Sequence, residues 1–209
     1  MKPACIRYPE DLLRYMRIWD NGMFMHASAV ETPCGALVFL GPSNAGKTTL
    51  AHLLTADFPI IHEDCVYVFR ESDGVFSVRS GQFHHEFLFR PENPRTMRWD
   101  GPGRGIPIAG IWRVFKAKRP ALVETSRFFA LRYMMSSVFE INIQHQTHCP
   151  DLELEWFRRV AEMERVIGLK EFQFSKNLST VHYVTDRFRY REGDNHEYLF
   201  RLDNPRTIQ

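Results

Sequence analysis

The sequence predicts an α/β domain: a β-sheet core in which a glycine-rich loop joins a buried strand to the first main helix, flanked by helices from the second half. Three observations predict it. Residues 36–40, ALVFL, are a continuous apolar run of the kind found in strands buried on both faces. GPSNAGKT follows at 41–48 and leads into TLAHLLTA, a stretch of good helix formers. Beyond residue 126 the apolar spacing turns helical, whereas 21–125 is mainly β-prone. The 209 residues suit one domain spanning 1–209, with 21–125 as the β core and its loop helix and 126–209 as a helical region and C-terminal tail.

In order along the chain, Leu12, Leu13, Met16 and Ile18 recur at near-helical spacing among charges and predict a short amphipathic helix over 9–19. GMFMHASAV at 22–30 and ALVFL, joined by the turn-like ETPCG, predict two adjacent strands. IIHEDCVYVF at 60–69 is a third β-prone segment and GVFSVRS at 74–80 a fourth, with ESDG as the turn between them. Residues 81–110 mix aromatics, prolines and glycines without a stable period, which predicts loops and short strands. GIWRVFKAKRPALVETS at 110–126 reads as a strand, a turn and an edge. RFFALRYMMSSVF at 127–139 and DLELEWFRRVAEMERVIG at 151–168 each space apolar residues for one helical face. The remainder, from 171, alternates well enough for one or two strands before a polar tail.

Composition narrows the function classes. Lys and Arg number 27 against 25 Asp and Glu, so no overall field draws the chain to nucleic acid or to a membrane surface, and neither partner is expected. The four cysteines form no CxxC pair or zinc spacing, no stretch has the apolar length of a membrane span, and the N-terminus lacks a secretory pattern; a cytoplasmic protein with free thiols is the expectation. HEFLFRPENPRTM at 85–97 returns as HEYLFRLDNPRTI at 196–208, with nine of thirteen positions identical. Two similar edge segments are the plain reading; strand exchange within a chain or between protomers of a homo-oligomer is the sharper one.

Gly41, Pro42, Ser43, Asn44, Ala45, Gly46, Lys47 and Thr48 match GxxxxGK[ST] at every required position, between a buried-type strand and a helix. Glycines let the backbone curl so that successive N–H groups face phosphate oxygens. Lys47 is placed to reach the β and γ phosphates, Thr48 to complete a Mg²⁺ shell, and Thr49 adds a neighbouring hydroxyl. A structural glycine turn needs neither the lysine nor the threonine. Glu63 and Asp64 lie on or beside the third β-prone segment, where adjacent side chains point to opposite faces. One is then positioned for the metal and the other for an acceptor hydroxyl, unless a bulge brings both to one side. The plain alternative is a solvated acidic strand end.

Other candidates are less specific. His26, between Met25 and Ala27, reads first as a core or edge histidine and second as a contact to the γ-phosphate or the acceptor. Arg104, in GPGRG, sits where glycines could swing a guanidinium onto a developing phosphoryl charge, although such arginines are commonly solvated. His84, His85 and Glu86 cannot all face one ion on a strand. The FRYR run at 188–191 is too short to signal nucleic acid and reads as a solvated strand face.

MHASAV at 25–30, GPSNAGKTTL at 41–50 and HEDCV at 62–66, in that order and spacing, resemble the catalytic domain of HPr kinase/phosphorylase and its shorter relatives, whose phosphate-loop type also occurs in ATP-dependent phosphoenolpyruvate carboxykinase. The likeness covers about residues 22–70, with IPIAGIWRV at 106–114 resembling a further family strand. It implies a histidine near the transferred phosphate and a pair of acids, one for metal and one for acid–base work, which by position are His26, Glu63 and Asp64. Glu63 stands where the family usually has Asp, moving a carboxylate by one methylene. Counterparts of the family's extra N-terminal domain and of its C-terminal signature are not found, which argues against HPr itself as acceptor. The resemblance thus implies an ATP- and Mg²⁺-dependent kinase; joined to the loop motif and the GPGRG segment it gives Asp64 and Thr48 on the metal, Glu63 as base and His26 and Arg104 assisting. The γ-phosphate would pass to a hydroxyl, a serine of a protein or peptide or a small molecule. The alternatives are a nucleotide-binding regulatory or assembly module with weak transfer, or a plain NTPase.

Overall fold

The computed structural model describes residues 22–80, 105–143 and 150–188. In chain order they form β1 (Gly22–His26), β2 (Ser28–Thr32), β3 (Gly35–Leu40), α1 (Lys47–Leu53), β4 (Ile60–His62), β5 (Cys65–Arg70), β6 (Phe76–Ser80), β7 (Ile106–Lys116), β8 (Ala121–Glu124), α2 (Arg127–Ile143), α3 (Pro150–Val166), β9 (Lys170–Phe174) and α4 (Leu178–Phe188). The fold class is mixed α/β.

All nine strands belong to one mixed sheet, ordered β1-β5-β6-β7-β3-β2-β4, with β9 joining β7 and β8 closing on β9. The eleven-residue β7 is the hub. Its start pairs antiparallel with β6 (Val78 opposite Ile106), its middle parallel with β3 (Val38 opposite Ile111), and its end parallel with β9 (Val114 opposite Phe172). The parallel strands β3, β7 and β9 therefore end at the same edge, where open α/β sheets place their ligand crevices.

Why β3 reads as unbroken apolar sequence is plain from its two faces. Ala36, Val38 and Leu40 pack with Ala130, Met134 and Val138 of α2 and Trp156, Val160 and Met163 of α3. Leu37 and Phe39 enter a second cluster with Leu50 and Ala51 of α1, Trp112, Phe172, Phe174 and Val184 of α4. Trp112 anchors that second cluster, its ring 4.7 Å from Phe172 and 6.1 Å from Phe39. A large side chain so buried contributes roughly 1.5–3 kcal/mol, so helices on both faces hold the central strand in place.

The β2–β3 hairpin, β6, β7, β8, α2 and α3 fall where the sequence predicts. Three points differ. The segment 60–69 is two strands, because Nδ1 of His62 accepts from the backbone N–H of Asp64 (3.2 Å) and of Cys65 (2.9 Å), closing a corner at Glu63 and Asp64. The partner strand breaks at the same level: β1 and β2 part at Ala27, whose N–H donates to the Asp64 carbonyl at 3.0 Å. Second, the expected strand over 22–30 is divided there into β1 and β2, while β9 supplies one of the strands expected from 171 and pairs with β7. Third, residues 178–188 form α4 rather than the expected strand. Asn177 Oδ1 accepts from Ser179 N–H at 3.1 Å at the helix start. The inward residues Thr180, Val181, Val184 and Thr185 keep a helical period, but half of them are threonines, so an apolar count misses it.

The expected helix at 9–19, the loops at 81–104, both copies of the repeat, Cys5, Cys149, the His84–Glu86 trio and everything from 189 lie outside the described residues. Among the described residues Cys34 and Cys65 are free thiols, and no helix is long and apolar enough to cross a membrane.

Candidate functional site

The loop from Gly41 to Gly46 leaves the end of β3 and lies against the ends of β7 and β9. Gly41 (φ +150°) and Gly46 (φ +104°) occupy backbone conformations that favour glycine, and space reinforces the choice. A Cβ on Gly41 would come within 3.2 Å of the Val114 carbonyl, and one on Gly46 within 2.6 Å of the Phe174 ring. Asn44 also takes a left-handed turn (φ +68°), and its carbonyl accepts from Nζ of Lys116 at 3.1 Å. Pro42, Ser43 and Asn44 are exposed, Ala45 and Thr49 half-buried.

Lys47 is the exception: it opens α1 and is only 5% exposed. Its ammonium folds back over the loop, donating to the Gly41 carbonyl at 2.8 Å and more weakly to that of Pro42 at 3.4 Å. Burial pushes its pKa below the ordinary lysine range, with the charges of Glu140 and Asp64 opposing that fall.

The acidic corner docks onto this loop helix. The hydroxyls of Thr48 (3.3 Å) and of buried Ser28 both donate to the Glu63 carbonyl. The two acid side chains then diverge, as adjacent residues do. Glu63 Oε1 pairs with Nε2 of His52 on α1 at 3.1 Å, while Asp64 Oδ1 lies 3.1 Å from Nε2 of His26. His26 is largely buried, and its Nδ1 stands 2.8 Å from Glu140 Oε1, close but off the line of a straight hydrogen bond. The Glu140 oxygen in turn accepts from Ser43 Oγ of the loop at 3.3 Å.

Of the residues expected from sequence, His26, Asp64, Lys47 and the 41–48 loop thus come together. Glu63 reaches the group through its backbone while its side chain turns to His52. Arg104 lies outside the described residues. Sequence reasoning missed Glu140, Ser137, His52 and Lys116. Glu140 left one trace, as the only acid in α2. Among the described residues no group of three or more His, Cys, Asp or Glu side chains could hold a metal ion. The donors beside the loop are a threonine hydroxyl and carboxylates, hard oxygen ligands of the kind Mg²⁺ accepts when phosphates complete its shell. Compared with known proteins, the chain matches no protein-family model and no curated protein.

Proposed function

We propose that the protein is an ATP-dependent phosphotransferase of the HPr-kinase-like kind, acting on a hydroxyl group. One observation carries the reading: a glycine loop with a buried lysine folded over it meets, through Ser43, the Glu140 carboxylate that also lies against His26 of a His26–Asp64 pair. The loop and Lys47 would grip the phosphates. Thr48 and a carboxylate of the 63–64 corner would hold Mg²⁺, which when bound supplies positive charge to the phosphate oxygens. The contacts favour Asp64 over Glu63 as the acid–base group, because Asp64 faces His26 and its charge acts on Lys47, whereas Glu63 is drawn away by His52. As the acceptor oxygen bonds to the γ-phosphorus, its proton would pass to Asp64, with His26 holding that carboxylate, and the bond to the β-phosphate oxygen breaks to release ADP.

The diversion of Glu63 also favours a second reading, a nucleotide-binding module in which transfer is weak. Labelled γ-phosphate followed into candidate proteins, peptides and small hydroxyl compounds separates them: the kinase labels an acceptor, whereas the module binds MgATP without acceptor-dependent turnover. Both readings require K47A to lose nucleotide affinity by on the order of a hundredfold, measured by calorimetry. Full retention of binding would contradict both.

A further inference from the structure

We propose that Glu140 is a positioning residue of this site, orienting His26 on Asp64 and opposing the entry of phosphate at the loop; the inference rests on the nucleotide reading above. One face of α2 grips His26 at two points. Ser137, buried, donates to the His26 carbonyl at 2.9 Å, and Glu140, three residues on, meets the ring at 2.8 Å. Residues at that spacing share a helix face, so backbone and imidazole are held by one rigid element. The Glu140 carboxylate lies 2.8 Å from Nδ1 on one side of the ring, and Asp64 Oδ1 lies 3.1 Å from Nε2 on the other.

The same carboxylate oxygen reaches across to the loop. Glu140 Oε1 accepts from Ser43 Oγ, and its charge, with that of Asp64, opposes the fall that burial imposes on the Lys47 pKa. It is an internal anion beside the two groups, a hydroxyl and an ammonium, that a triphosphate would use. Incoming phosphate is therefore met by like-charge repulsion, and Ser43 must exchange one anionic partner for another. Glu140 thus trades nucleotide affinity for a fixed acid–histidine geometry.

The two roles predict opposite signs in one variant. In E140Q, nearly isosteric but neutral, MgATP should bind about three- to tenfold more tightly. Turnover of labelled MgATP at saturation, released phosphate included, should fall about tenfold or more as His26 loses its orienting charge. A purely structural role would weaken binding and turnover together. E140D, which keeps the charge on a shorter arm, should return the affinity to that of the unaltered protein while restoring turnover only in part. Weaker binding or undiminished turnover in E140Q, or an E140D affinity equal to that of E140Q, overturns the proposal. Failure of the unaltered protein to bind MgATP sinks the nucleotide reading itself; binding that K47A abolishes and E140Q does not change leaves that reading intact and removes Glu140 from it.

Discussion

The two halves of the candidate site are built in different ways. The loop half is one run of chain, Gly41 to Thr48, and the groups it could offer a ligand are main-chain N–H groups, the hydroxyls of Ser43 and Thr48 and one lysine. Neighbouring strands shape it through contacts at Gly41, Asn44 and Gly46. The acid–histidine half is made of side chains from three places, His26 on β1, Asp64 at the β4–β5 corner and Glu140 on α2, brought together by the sheet order and by α2 packing over β1. A half made from backbone tolerates changes that keep the turn, whereas a half made from side chains fails one atom at a time.

The sharpest way to break the comparison is D64N. It keeps the shape of the corner but removes the Asp64 charge from the acid–histidine half, leaving that of Glu140. Transfer of labelled phosphate is expected to fall about 10²–10⁴-fold, the range for loss of an acid–base group. MgATP affinity, held chiefly by the loop half, should change far less than transfer does. Equal losses in both would show that the halves do not act separately.

A smaller effect tests the loop half through its backbone. In G46A the new methyl would meet the Phe174 ring, which is fully buried and cannot swing away, in a conformation that side chains rarely adopt. Strain and overpacking together should cost about 2–3 kcal/mol, read as a lower urea midpoint, with nucleotide affinity weakened in the same protein. An unchanged midpoint would mean that the loop does not rest on β9.

The same contrast explains what the sequence revealed. The loop was legible because its chemistry is contiguous, and β3 and α2 because their apolar runs are long. Asp64, with Glu63, could be singled out as an acid on the strand segment after the loop, His26 gained its weight from a resemblance, and Glu140 could not be found at all, because its place depends on which strand α2 covers. Strand geometry predicts that Glu63 and Asp64 diverge, and they do, but in a corner between strands that depends on the His62 ring capping two backbone N–H groups, which no periodicity encodes. The α4 helix was hidden because Thr180 and Thr185 fill inward positions that a pattern of apolar residues leaves blank.

The smallest effect concerns how firmly the acidic corner sits on the core. Cys65 follows Asp64 directly and is buried; burial first, and the Asp64 charge second, push its thiol pKa up to about 12. The unfolded chain releases that proton near pH 8.5, so above this pH the folded state binds more protons than the unfolded state and stability falls as pH rises. The slope approaches about 1.4 kcal/mol per pH unit up to the folded value. Lysines and tyrosines also titrate at high pH, so the difference between the unaltered protein and C65A, followed by urea midpoints at pH 8, 9 and 10, isolates the thiol. C65A should lose less stability over that range, and the native thiol should resist alkylation at pH 9. A thiol that alkylates at the rate of a free peptide would mean that the corner opens readily, and a corner that opens could not hold Asp64 against His26 while the loop half stays fixed.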